Sequence, residues 1–181
     1  LNDTNNYKWS TDPQEAVTFD YTIEKAKVDK PTADTTNFVY NTSEQTYEPV
    51  GFDNDLMNIT GDKRTAAGSQ TVTVTLANTD NYEWADGTQD SIEFTFNINK
   101  AVPEYETPIN LEGVFGKTLS TISLPSDSGW SWKDGTIELS TLGAHQFTAV
   151  FTPEDTDNYL VVEIELNDIN NLSTQLSKFV E

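Results

Sequence analysis

The sequence predicts an all-β chain built as a tandem of small modules. Two observations carry this. The first is repetition. Asn2-Asp3-Thr4-Asn5-Asn6-Tyr7 returns as Ala77-Asn78-Thr79-Asp80-Asn81-Tyr82 and again as Glu154-Asp155-Thr156-Asp157-Asn158-Tyr159, with steps of 75 and 77 residues between the tyrosines. A second marker keeps the same step: Tyr21-Thr22-Ile23-Glu24-Lys25-Ala26 is echoed by Phe96-Asn97-Ile98-Asn99-Lys100-Ala101. Two markers at one period indicate an array of similar units. The second observation is residue type. Valine, isoleucine, threonine, phenylalanine and tyrosine dominate the apolar and β-branched content, residues that fit a pleated, half-buried surface. There is one Met and no long stretch rich in alanine, leucine and lysine.

At 181 residues the chain suits one or two domains, and the repeat step favours two small ones. Residues 1–25 read as the last part of a preceding module. Within them, residues 17–23 alternate with period two, placing Val17, Phe19, Tyr21 and Ile23 on one face of an expected strand. That strand is expected to pair with a neighbouring module or with another copy of the chain. Residues 26–100 read as one full module. Its expected strands are 37–40 and 45–47 around the polar turn Asn41-Thr42-Ser43-Glu44, then 70–76, with Val72, Val74 and Leu76 facing one way, then 92–98, with Ile92, Phe94, Phe96 and Ile98 inward. Asp53-Asn54-Asp55 and Gly61-Asp62-Lys63 mark loops.

Residues 101–170 read as the second module, with strands expected near 118–124, 131–139, 145–152 and 160–166. Lys133-Asp134-Gly135-Thr136 carries an Asp-Gly turn signal. Short strands separated by turn residues fit a sandwich or open barrel. The lack of helical patterns between them excludes a parallel α/β arrangement. Residues 171–181 break the pattern. Leu172, Leu176 and Phe179 have helical spacing, so this end reads as a tail or a short helix.

The net charge of −20 repels phosphates and anionic headgroups, so nucleic acid is not an expected partner. Cysteine is absent, unlike in small disulfide-stapled secreted modules. No apolar run reaches the length of a membrane helix, so no membrane insertion is expected here, and no signal peptide is visible. The chain opens inside a repeat motif. It is therefore expected to be a section of a longer protein, with any export signal or wall anchor outside it.

The string Phe147-Thr148-Ala149-Val150-Phe151-Thr152-Pro153-Glu154-Asp155-Thr156-Asp157-Asn158-Tyr159 resembles a signature of bacterial immunoglobulin-like surface repeats of the MBG type. The Lys-Ala boundaries at Lys25-Ala26 and Lys100-Ala101 are similar to that family. So is Tyr40-Asn41 followed by Gln45-Thr46-Tyr47-Glu48-Pro49. The first full module departs from the string, with Leu76-Ala77-Asn78 where the second has Phe151-Thr152-Pro153. The resemblance covers about residues 1–170. It implies tandem immunoglobulin-like β-sandwich modules on a secreted or cell-wall protein of a bacterium, serving as a non-catalytic spacer, stalk or adhesion region. Expected partners are neighbouring repeats of the same chain, and a host or cell-wall glycan or protein ligand.

Candidate sites compete with structural roles for the same residues. Calcium needs several oxygens converging from loops. Asp80, Asp155 and Asp157 are the metal candidates, with Asp3 and Asp53-Asn54-Asp55 behind them, but EF-hand spacing is not met and no cofactor is expected. Trp130 and Trp132, two apart on one strand face, are the candidates for an alternative carbohydrate-binding role, provided they are exposed. Trp9 and Trp84 occupy equivalent repeat positions, which favours structure. Lys27 or Lys30 with Asn97 or Asn99 has the chain order of an internal Lys–Asn crosslink. The single histidine, His145, alternates with Phe147, Ala149 and Phe151 on an apolar face, and there is no cysteine nucleophile or Gly-rich phosphate loop. No catalytic residue is expected. The Asp and Asn side chains of the repeated motif suit Asx turns, and the Tyr that follows suits a buried ring that pins a connection between strands.

Overall fold

The computed structural model describes residues 5–8, 10, 18–125, 128–141 and 143–172, with side chains described through residue 167. Among these residues the protein is all-β, with a 3₁₀ turn at Leu119–Thr121. The strands of residues 26–100 are β1 (Ala26–Val28), β2 (Phe38–Val39), β3 (Gln45–Thr46), β4 (Met57–Thr60), β5 (Lys63–Arg64), β6 (Gly68–Leu76), β7 (Tyr82–Trp84) and β8 (Ile92–Asn99). Those of residues 101–172 are β9 (Glu112–Val114), β10 (Trp130–Trp132), β11 (Gly143–Phe151) and β12 (Val162–Leu172).

Two four-stranded sheets form, ordered β2-β8-β6-β4 and β9-β12-β11-β10. They share directions as well as order. In each, the last strand (β8 or β12) runs antiparallel to the long central strand (β6 or β11) and parallel to a short outer strand (β2 or β9). The other outer strand is antiparallel, with Met57 opposite Leu76 and Trp130 opposite Phe151. The N-terminal half adds two ribbons, β1 parallel to β7 and β3 antiparallel to β5.

Period-two patterning sets the core. Along β6, Val72, Val74 and Leu76 turn inward while Thr71 and Thr75 are exposed, and on β8 Phe96 and Ile98 are buried. Val28 of β1 and Trp84 of β7 pack with Met57, Val74 and Leu76, so the β1–β7 ribbon covers one end of that face. Tyr47 covers the other end, against Val72, Phe96 and Ile98. In the C-terminal half Leu119, Ile122 and Leu139 cover Trp130, Ala149 and Leu166. Each such large apolar side chain contributes about 1.5–3 kcal/mol on leaving water. Glycine is required where backbones meet. A Cβ at Gly61 would lie 2.3 Å from the Thr71 carbonyl oxygen, and one at Gly129 would lie 2.2 Å from that of Thr152, both at positive φ.

Residues 18–25 pair with no strand among the described residues, which leaves Phe19, Tyr21 and Ile23 exposed; Val17 lies outside the described residues. The structure corrects several other expected elements. In place of a strand over 118–124 there is the 3₁₀ turn Leu119–Thr121, preceded by an isolated bridge of Thr118 to Glu138. Leu119 and Ile122, three apart, both reach the core on a turn of that period, and Thr121 Oγ1 donates to the Thr118 carbonyl. The strand expected over 131–139 stops at Trp132, because Asp134 accepts from both the backbone N–H and the hydroxyl of Thr136 in an Asx turn. The strand expected at 160–166 begins at Val162 and runs to Leu172, because Leu160 is engaged with Ala101. The two strands beside residues 41–44 belong to different sheets. The remainder of the expected tail, 173–181, lies outside the described residues.

Candidate functional site

The third copy of the repeated motif is the joint between the two halves. Pro153 is buried at its start. The Asp155 carboxylate accepts hydrogen bonds from the Asn158 backbone N–H at 3.1 Å and from Asn158 Nδ2 at 2.8 Å, and the Tyr159 N–H donates to the Asp155 carbonyl at 3.1 Å. The loop is thereby closed on itself. It then holds the incoming chain. Ala101 N–H donates to the Asn158 carbonyl at 3.0 Å, Leu160 N–H donates to the Ala101 carbonyl at 2.9 Å, and Ala101 bridges Tyr159 in parallel. Lys100 Nζ donates to the Thr156 carbonyl at 2.6 Å.

The same loop reaches back into the N-terminal half. Asn158 Oδ1 accepts from the Ala67 N–H at 2.7 Å, and the Tyr159 ring meets the Tyr40 ring edge-on at 5.3 Å. The Asn158 amide has one orientation that serves both neighbours, since the carboxylate needs a donor and the Ala67 N–H needs an acceptor. The Asn158 side-chain bond chiefly holds the Asp155 carboxyl below its ordinary value of 3.8; burial opposes it, and the backbone N–H groups of Asn158 and Asp157 and the charge of Lys100 add to the lowering.

The second copy repeats the arrangement. Asn78 stands at the position of Asp155, and its Oδ1 accepts from the N–H groups of Asp80 and Asn81. Tyr82 N–H donates to the Asn78 carbonyl at 3.0 Å and Ala26 N–H to the Asn81 carbonyl at 2.8 Å, with Ala26 and Tyr82 paired in parallel. The Asx-turn reading of the motif describes both loops.

The other candidates fall as follows. Asp155 is committed to Asn158, Asp157 lies in the same loop, and Asp80 lies in the equivalent loop of the other half. Asp53 Oδ1 caps the Asp55 N–H, and Asp3 lies outside the described residues. Among the described residues no group of three His, Cys, Asp or Glu side chains is placed to hold a metal ion. Trp130 is buried between Tyr105 and Phe151 and donates Nε1–H to the Glu106 carbonyl. Trp132 is half-buried and donates to the Ile122 carbonyl, and buried Trp84 donates to the Asp90 carbonyl. Trp9 lies outside the described residues. Trp130 forms part of the wall of an open cleft of about 1100 Å³, shared with Pro103, Tyr105, Pro108, Ile109 and Phe151.

His145 is half-buried, with Nε2 3.0 Å from Thr141 Oγ1. Lys27 pairs with Glu83 and Lys30 with Asp86. Lys30, then Thr88, holds the Asp86 carboxyl far below its usual range. Asn97 bonds Ser69 and Asn99, and Asn99 bonds Asn37, so the structure gives these lysines and asparagines separate partners. Sequence reasoning missed Ala67 and Tyr40 as joint residues. Ala67 acts through its backbone and leaves no side-chain signal.

No family model matches the chain, and no curated protein or solved structure matches it.

Proposed function

We infer that this chain is a non-catalytic spacer or stalk, or an adhesion region, of a secreted or surface-attached bacterial protein, built from tandem immunoglobulin-like β-sandwich modules at 26–100 and 101–170. The observation that carries this reading is the joint. One loop clamps the connecting residue Ala101 and also reaches Ala67 and Tyr40 of the other half. A polar amide with both ends bonded and a ring pair resist bending together, which is what a spacer needs to convert module number into reach. Holding a carried site at a set distance raises its effective concentration at a partner surface. The repeated sheet order and the strongly acidic surface, which discourages collapse of one module onto another, support the same reading.

Small-angle X-ray scattering of the protein and of the Asn158→Ala/Tyr159→Ala variant tests this. The reading expects one extended, concentration-independent shape for the protein and a broader, more compact distribution for the variant. Identical broad distributions for both would remove the mechanical role.

A further inference from the structure

Residues 18–25 present an apolar row, Phe19, Tyr21 and Ile23, that is 86%, 84% and 83% exposed. Without a gap, the sequence from Leu1 to Ala26 runs in register with Leu76 to Ala101. Tyr7 matches Tyr82, Trp9 matches Trp84, and Phe19, Tyr21 and Ile23 match Phe94, Phe96 and Ile98. On β8 the last two of these are essentially inaccessible, covered by Tyr47 and Val72 and flanked by β6 and β2. The segment therefore has the sequence of an inner strand and the exposure of an unpaired one.

A second observation lies where this segment enters the fold. Ala26 is clamped by Asn81 and Tyr82 as Ala101 is by Asn158 and Tyr159. At the C-terminal joint the Asn side chain and the Tyr ring hold the preceding sheet's turns. Among the described residues, Asn81 is exposed with its side-chain amide unbonded, and the Tyr82 ring meets no other ring.

We propose that residues 18–25 and the Asn81–Tyr82 face together dock a β-sheet unit of the same build as 26–100 that lacks its last strand. Residues 18–24 supply that strand, antiparallel to the unit's β6-like strand and parallel to its β2-like strand. Asn81 and Tyr82 then take its backbone N–H and its turn aromatic, as Asn158 and Tyr159 take Ala67 and Tyr40. A second intact copy of the chain does not fit. Its own Ala67 and Tyr40 are engaged by Asn158 and Tyr159, and β8 fills the strand position. An anionic membrane does not fit a segment that alternates its apolar row with Asp20 and Glu24. The proposal rests on the tandem-module reading above and names the partner that reading leaves open.

The test fuses a second copy of residues 26–75 ahead of Leu1 of the full chain, where Leu1 continues as Leu76 does, and follows amide hydrogen exchange. The expected result is exchange at residues 18–24 slowed ~100-fold or more relative to the unfused chain, with β8 and β11 unchanged as internal references. Tyr21→Asp in the fusion is expected to abolish the gain. Unchanged exchange at 18–24 while β8 and β11 stay protected would overturn the proposal. Protection at 18–24 that grows with concentration in the unfused chain would also overturn it, in favour of self-association. Neither result depends on the stiffness of the Asn158 joint, so failure here is distinct from failure of the spacer reading.

Discussion

Ala67 and Asn158 are separated by 91 residues of sequence, and the Ala67 backbone N–H donates to Asn158 Oδ1 at 2.7 Å. This bond ties a turn of the N-terminal half to the loop that clamps the connecting chain. Asn158→Ala leaves the half-buried Ala67 N–H without its acceptor and strips the Asp155 carboxylate of its amide donor. The expected cost to the joint is about 1–3 kcal/mol. It is read as faster exchange of the Ala67 amide with β6 and β11 protection unchanged. Asn158→Asp is expected to be worse, since it sets a second carboxylate against Asp155.

The joint is expected to weaken in acid. The Asp155 carboxyl titrates below its ordinary value of 3.8 when folded, chiefly because Asn158 donates to it. A depressed folded value means that the stabilisation is complete above the unfolded value and fades as pH falls through the lower, folded one. Following the Asp155 carboxyl carbon by NMR should give a midpoint below 3.8 in the protein, moved back toward 3.8 in Asn158→Ala.

Tryptophan emission is expected to be blue-shifted overall. Trp84 and Trp130 are buried, and the indole N–H groups of Trp84, Trp130 and Trp132 are already bonded to carbonyls. Added oligosaccharide should leave the spectrum unchanged. A thermal melt in calcium and in chelator should give the same midpoint, since the Asp155 carboxylate is committed to its own loop. A rise of several degrees with calcium would identify a metal role for Asp80, Asp155 or Asp157.

Gly61→Ala and Gly129→Ala should each destabilise the half they belong to. Each places a Cβ against a backbone carbonyl and forces an L residue to hold positive φ. The expected loss is about 1–3 kcal/mol or more, read from denaturant unfolding of each variant.

The long strands β6, β8 and β11 were legible because alternating valines, phenylalanines and threonines state both the period and the buried face. The repeated Asn-Tyr was legible as a turn, while the expected buried ring is half-buried at both Tyr82 and Tyr159. Short elements were not. Residues 118–124 have apolar spacing compatible with either a strand or a 3₁₀ turn, and the Thr121 hydroxyl bond to the Thr118 carbonyl favours the turn locally. The early end at Trp132 follows from one Asx bond at Asp134. Residues 18–25 carry a strand's pattern, yet lie in no sheet, because a strand is defined by its partners as much as by its own residues. The partner of Asn158 was hidden for a related reason: Ala67 contributes only a backbone N–H, which every residue but proline has.

The most direct test of the joint is the distance between the two halves. The chain has no cysteine, so spin labels at Glu93→Cys and Glu138→Cys, both exposed, report on it without interference. Pulsed dipolar spectroscopy should give one narrow distance distribution in the protein and a broad one once Asn158→Ala is added. A broad distribution already present without Asn158→Ala would contradict the account, because the halves would then move independently despite the Ala67–Asn158 bond.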